Sequence, residues 1–584
     1  MLVWLPVSHA QVVHRKPSTK AEGVGQDLPW VKDLTGALEL ASRSKRPILW
    51  YPPTVPGSPM DRKPVLDLYM RAGIFADPGL RALFRHYVLL RHVPSRDEAK
   101  KYGLRPFEFV EPGFLILDGK GKVLDRCSGM TSFPRPWLAR RFAIPLAPDL
   151  VRRIRDKEQD PTAKAMLERF ADGRFELDEH ETGKSAWTAF LVASALFEQG
   201  RKADARKAWL ALAKDHPEDP LAARALAEAE GFGPIVRGFW TWTRCRKGAA
   251  LDLPGTTLPA RPDELAPLKD MAIHALLRLQ EEDGGFEDSD YDFGGQDSLP
   301  NVHVAVTALA AMALHRHRAS LPEGGKEALA KAVEYVLDPA HRNPADKDEW
   351  VWARLYALHM CRELLTSESA KPTPGPLAKR LAKEAGLCTK DLLARQTRSG
   401  AFRHEYSNPF VTASVLLALS DGSRLGVAIE DSALERALSA LEKARTRLGA
   451  FSYSQPRGKA RASLVAAAGR MPLCEAALYA FGRSTGERLE SALRVSFEHH
   501  DQLESTRKYD DHANRHSYGG FFYWYDQLGR SMAMGLLGDK AAGFRQQQLG
   551  QILAIPEIDG SFVDSHELGK SYGTAMALLC LEPR

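Results

Sequence analysis

DLLARQTRSGAF, residues 391–402, sets Gln396, Gly400 and Phe402 in the frame Gln-x3-Gly-x-Phe between two stretches of helical periodicity. RLQEEDGGF, residues 278–286, repeats the frame as Gln280, Gly284 and Phe286. Shortened copies follow: RLGAF with Gly449 and Phe451, YGGFF with Gly519 and Phe521, and DGSF with Gly560 and Phe562. In these three, Arg445, Arg515 and Pro556 stand where the Gln would be. The first two copies are 116 residues apart, room for one further unit, and DEWVWARLYALHMCREL, residues 348–364, supplies its core. The region from 264 to 584 therefore reads as six helix pairs.

Each unit is a helix, a turn and a second helix. Glycine permits a tight turn that a Cβ would obstruct. The aromatic ring anchors that turn between neighbouring hairpins, and the Gln amide bridges the ends of adjacent helices. Six such pairs close into an all-α (α/α)6 toroid with inner and outer helices. The frame resembles the QW repeat of squalene and oxidosqualene cyclases, with Phe in place of Trp. The same toroid occurs in protein prenyltransferase β-subunits and complement-type thioester domains. The resemblance implies a toroid of terpenoid cyclase/prenyltransferase type, in which the repeat residues are structural.

Upstream, residues 28–145 alternate helices with apolar strands, as in ALELASRSKRPILWY and LRALFRHYVLLRHV, and end in a hairpin, EPGFLILDGKGKVLDR, turning at Gly119-Lys120-Gly121. Pro112 directly before a strand suits a cis-proline turn. This order resembles the α/β thioredoxin-like fold, with Pro112 at the family's cis-proline. Where thioredoxins carry C-x-x-C, this chain has PPTVPGSPM, so no thiolate and resolving thiol are available for exchange. Cys127, after the hairpin, reads as a packed small hydrophobe. The unit is expected to be a redox-inactive docking or binding module. Residues 150–231 form a short helical connector whose Ala195, Gly200, Ala205 and Trp209 resemble a tetratricopeptide (TPR) unit, and one such unit must pack on a neighbour. Residues 232–263 read as a linker, and residues 1–27 as an N-terminal segment. MLVWLPVSHA has the apolar run and small-x-small ending of a truncated secretory signal without its basic start, leaving cytoplasmic and exported locations both open.

A chain of 584 residues with 44% hydrophobic and 26% charged residues is a multidomain globular protein. Its 80 basic and 74 acidic residues form no basic stripe, which argues against nucleic acid. Six scattered cysteines argue against a zinc ribbon or disulfide scaffold. No apolar run reaches membrane-spanning length.

The activities known for this toroid lack their signatures here. There is no Asp-x-Asp-Asp acid motif, no Asp-x-Cys in the toroid and no Cys-Gly-Glu-Gln thioester. EDSDYD offers Asp288, Asp290 and Asp292, read as a solvated acidic loop because the calcium-loop pattern is incomplete. The fifth unit is the longest: its Gly lies 70 residues after the previous one, against 49 for the step before. There His512 and His516, with Asp511, offer ligands that suit zinc or another transition metal; the competing account is surface histidines, and no cofactor is expected by default. Aligned on their small-residue endings, the inner helices carry His303, Asn408, Arg470, Asp526 and Lys570 at one register. These residues would ring one mouth of the toroid, and cations at helix starts point to an anionic ligand. Taken whole, the chain resembles uncharacterised bacterial proteins with prenyltransferase/squalene-oxidase repeats. The first reading is a non-catalytic protein binding a protein or peptide partner or a small anionic or apolar ligand. The alternative is an enzyme of the toroid, a terpene-type cyclase or a carbohydrate-active enzyme, with its site at the inner-helix mouth.

Overall fold

The structure is a computed structural model that describes residues 18–62, 64–156, 160–178, 185–231, 240–242, 262–291, 295–366, 375–509 and 522–582. It is mostly helical, a helical toroid joined to a small α/β part.

Four short strands make one mixed sheet: β1 (Ile48–Tyr51), β2 (Val88–Arg91), β3 (Phe114–Leu117) and β4 (Val123–Cys127), in the order β2-β1-β3-β4. β1 is parallel to β2, with Ile48 opposite Val88, and antiparallel to β3, with Ile48 opposite Leu117. The runs ILWY and FLIL are apolar throughout because both faces of the central strands are covered. Ile48, Trp50 and Leu115 pack on the helix Leu34–Ser44, while Leu49, Tyr51 and Ile116 share a core with the helices Pro78–Phe84 and Arg135–Ala143. Asp118 closes the β3–β4 turn by accepting the N–H groups of Lys120 and Lys122 at 2.8 and 2.9 Å. The Glu111–Pro112 peptide is cis.

The helices Ala186–Glu198 and Lys202–Asp215 form a hairpin whose apolar faces belong to that second core. Arg224, 1% exposed, ties this layer down: it donates to the Gly73 carbonyl at 2.9 Å and to Glu228 at 2.9 Å. On its other side the hairpin meets the toroid, where Lys202 donates to the Gln280 carbonyl and the Ala203 N–H to Glu282 at 2.8 Å. The expected linker 232–263 lies almost wholly outside the described residues.

From Pro262 the helices alternate between an outer and an inner layer. The pairs are α1 (Pro262–Leu279) and α2 (Leu299–Arg316), α3 (Gly325–Leu337) and α4 (Trp350–Thr366), then α5 (Gly375–Ala394) and α6 (Pro409–Arg424). After them come α7 (Asp431–Ala444) and α8 (Met471–Ala480), α9 (Gly486–Glu498) and α10 (Tyr523–Leu537), α11 (Ala542–Leu553) and α12 (Gly569–Leu581). Each even-numbered helix packs on the next, and α12 returns to α2, closing a ring. The sequence reason is visible in the two layers. α2 buries 16 of its 18 residues, many of them Ala and Val, so it suits a position surrounded by protein. α7 buries only one face, through Ala433, Ala437, Leu441 and Ala444, and turns Glu and Lys outward.

The repeat residues hold the layers in register. Gln280 Nε2 donates to the carbonyls of Gly284, in its own turn, and Ala328, on the next outer helix, at 3.0 and 2.8 Å. Gln396 makes the same two bonds, to Gly400 and Ala433, at the same two distances. Gly284, Gly400, Gly449 and Gly560 all have positive φ, between 83° and 98°. A Cβ at Gly400 would run into the Arg436 backbone. Phe286, Phe402, Phe451 and Phe562 are buried. An inner-helix threonine completes three of these turns, Thr307, Thr412 and Thr574 each accepting the Phe N–H at 3.0 Å. Gly519 and Phe521 fall outside the described residues.

Candidate functional site

A cavity of about 40 Å³ lies on the ring axis, walled by the first halves of the inner helices. Its lining is aromatic: Tyr291, Trp352, Tyr356, Phe522, Tyr525 and Tyr572. Burial pushes the phenols of Tyr291, Tyr356, Tyr525 and Tyr572 up, so all four are neutral near neutral pH. Trp352 meets Tyr525 edge to face at 5.7 Å, and Tyr291 meets Phe522 likewise at 5.7 Å. Tyr525 is pinned by a 2.6 Å hydrogen bond with Ser414 on α6.

Among these walls stands one carboxyl, Glu349, the residue before α4 and 1% exposed. Asp346 sets its position: the carboxylate accepts the N–H of Asp348 at 2.9 Å and of Glu349 at 3.3 Å, and the Asn301 amide at 2.8 Å. The start of α4 is thereby bolted to α2. Glu349 Oε1 accepts no hydrogen bond. His404 Nδ1 approaches it to 3.4 Å, a charge contact lacking hydrogen-bond geometry. Burial pushes the Glu349 carboxyl up to about 7, with Asp346 and Glu405 adding to the rise and His404 alone opposing it. Burial acts to lower His404, but Glu349 and Glu405 outweigh it, and the imidazole is raised. A carboxyl pushed up to about 7 on the wall of an aromatic cavity, with a raised imidazole 3.4 Å away, can pass a proton to or from a bound molecule.

The five positions placed by alignment do lie at the beginnings of inner helices, and all are buried. Asn408 caps α6, its Oδ1 accepting from the Val411 N–H at 2.9 Å. Arg470, just before α8, donates to the Phe451 carbonyl at 2.9 Å and sits over the Tyr453 ring. Lys570 pairs with Asp559 at 2.7 Å and donates to Ser132 of the N-terminal part at 3.1 Å. His303 Nε2 contacts the Ser289 carbonyl at 3.0 Å, and its Nδ1 has no partner among the described residues. Asp526 is 2% exposed in the first turn of α10. The charge of Lys570 is met by Asp559 from within the chain. None of the five lines the axial cavity.

Other expectations change. Asp288 is not part of a solvated loop: it is 3% exposed and accepts the N–H groups of Lys570 and Ser571 at 2.7 and 3.0 Å, capping α12. Glu475, a carboxylate whose convergence with Asp526 on one cavity would favour the enzyme alternative, lies away from the cavity, in a 2.7 Å ion pair with Arg445, the residue replacing Gln in the third repeat. Asp511, His512 and His516 fall outside the described residues. Among the described residues, no group of three or more His, Cys, Asp or Glu is placed to hold a metal ion. Nor is any helix there long and apolar enough to cross a membrane. Cys127 is buried, with its thiol pushed up to about 12 by burial.

Glu349 escaped the sequence alignment because its helix, ending in MCRELLT, lacks the small-residue ending used to set the register. The signal was present as an acidic residue directly before an aromatic helix start, EWVW.

No family model matches the chain, and no curated relative matches it. Among solved structures it is similar to a type II terpene cyclase from Scytonema in complex with merosterolic acid A, at 15% identity and a TM-score of 0.34, covering 55% of this chain and 96% of that one. It is similar also to a form of that type of cyclase from Scytonema in complex with geranylgeranyl dihydroxybenzoate, at 15% identity and a TM-score of 0.34, covering 55% of this chain and 97% of that one. A likeness of this degree carries nothing about the chemistry of the site.

Proposed function

We propose that the toroid is an acid–base enzyme acting on an unsaturated apolar compound in its axial cavity, with Glu349 as the proton donor. The observation that carries this reading is the Glu349 carboxyl itself, 1% exposed, without a hydrogen bond at Oε1, on an aromatic wall. Protonated, it can deliver its proton to a carbon–carbon double bond. The positive charge then formed on the substrate meets the electron-rich faces of Trp352, Tyr356 and Tyr525. The carboxylate left behind is stabilised by His404 at 3.4 Å. At about 40 Å³ the cavity must widen to admit substrate, and Tyr356 is the side chain that also borders the larger cavity on the far side.

The N-terminal part belongs to this proposal as a thioredoxin-like fold without redox chemistry, followed by a TPR-like hairpin, and both serve to brace the start of the ring. Supporting this, the Glu111 carboxylate occupies the loop where a redox pair would sit, accepting from Val55 N–H at 2.7 Å and Ser58 Oγ at 3.0 Å. Tyr509 and Lys508, from the ring, reach the Phe107 N–H at 2.7 Å and the Gly129 carbonyl beside it.

The test is incubation of the purified chain in deuterium oxide with a panel of linear and cyclic alkenes, followed by mass spectrometry. Deuterium should enter the carbon skeleton of those compounds that bind, and Glu349→Gln should abolish incorporation while retaining binding. Bound alkenes that take up no deuterium, or equal uptake in the variant, would sink the reading.

A further inference from the structure

We propose that the end of the ring where the inner helices finish is a separate binding site for single-chain amphiphiles with an anionic head, carboxylate or phosphate. A cavity of about 310 Å³ opens there, inside the size range of small-molecule sites. Its inner walls are apolar, with Met312, Leu417, Leu528 and Met532 among them. Its charged groups gather on one side. Arg316 grips Glu363 through two parallel bonds of 2.7 and 3.0 Å. Asp421 lies between His359 at 2.8 Å, Arg362 at 3.5 Å and Arg424 at 3.9 Å. Burial would raise the Asp421 carboxyl, but the His359 hydrogen bond and the two guanidinium groups hold it below its ordinary value, so it stays ionised. Three guanidinium groups thus face two carboxylates, and positive charge is left over.

Arg362 gives the specific signal. Its Nε lies 3.5 Å from Asp421 in an ion pair without hydrogen-bond geometry, so the guanidinium is held within the chain by charge alone. Cations at helix C-termini are favoured by the helix dipole whether or not a ligand binds. The dipole does not account for a ligand-sized apolar cavity beside them, or for a guanidinium held there only by a long ion pair. The planar fork of an arginine matches a carboxylate or phosphate, and the hydrocarbon chain of such a ligand would lie along the methionine and leucine walls. Only Tyr356 is common to this cavity and the one holding Glu349, so the site stands independently of the proposed reaction.

Calorimetric titration of the full chain with decanoate, decyl phosphate, decanol, acetate and inorganic phosphate tests this. Decanoate or decyl phosphate is expected to bind one per chain, with the tighter of the two identifying the head. Decanol is expected to bind at least about tenfold more weakly, the scale of one charge-assisted hydrogen bond. Acetate and phosphate alone should give no saturable heat. Arg362→Gln should lose about tenfold or more in affinity with its thermal unfolding unchanged, and Met532→Trp, which fills the cavity, should remove binding of both anions. Equal binding of decanol and decanoate, wild-type affinity in Arg362→Gln, or no binding of either anion would overturn the proposal.

Discussion

At Glu349, burial and charge compete, and burial wins. The side chain is 1% exposed, three carboxylates lie nearby, and one imidazole partly compensates. A proton donor must be protonated to act, so the rate constant kcat/KM for any alkene turned over is expected to hold below about pH 7 and fall above it. The same shift bears on stability. A carboxyl raised in the folded state binds its proton more tightly there than in the unfolded chain. Its contribution is therefore full below the ordinary carboxylate range and is lost as pH rises through about 7. Asp564, also pushed up to about 7 by burial although it accepts the Trp524 N–H at 2.7 Å, acts in the same direction. The urea midpoint of Glu349→Gln should consequently fall less between pH 5 and pH 8 than that of the wild type, and parallel curves would contradict the assignment. Lys570 and Asp559 run the other way. Burial alone would raise Asp559, yet Lys570 and Arg278 hold it at about 2, so its stabilisation is lost as pH falls towards that value. Lys570→Met leaves Asp559 buried without that partner, which should cost about 3–5 kcal/mol in chemical denaturation.

Single elements show what was legible from sequence and what was not. The Gln-x3-Gly-x-Phe frame was readable because its three functions, a bridging amide, a positive φ and a buried ring, each restrict the residue type severely. Removing the amide in Gln396→Ala strands the Gly400 and Ala433 carbonyls and should cost about 1–3 kcal/mol, measurable as a shift in thermal midpoint. The threonines that accept the Phe N–H were not legible, because they lie 21, 10 and 12 residues further on, with no fixed offset. Glu349 was hidden for a related reason: Asp346 is local, but His404 belongs to the next unit, and only the packing of α6 on α4 brings it alongside. Tyr356 presents another property that no periodicity announces, since it borders two cavities. Tyr356→Ala should join them at a cost of about 3–5 kcal/mol, and the variant should bind longer apolar ligands than the wild type in the same calorimetric titration.

For the whole molecule, the joins between its parts are made of buried charge rather than of a flexible tether. Arg224, on the helix Pro220–Leu226 after the hairpin, fixes that layer to the end of the helix Pro64–Gly73, Lys202 fixes the hairpin to the first turn of the ring, and Lys508 and Lys570 bring the ring back onto the N-terminal part. Calorimetric unfolding is therefore expected to give one merged transition, and two well-separated ones would show that these contacts carry little energy. The ring also imposes a timetable on synthesis. α2 is complete some 250 residues before α12, yet α12 is the neighbour that covers its open side. Until α12 leaves the ribosome, the nascent chain displays an apolar seam that this later helix covers, so the time spent waiting for that segment is the period in which this protein most needs a chaperone.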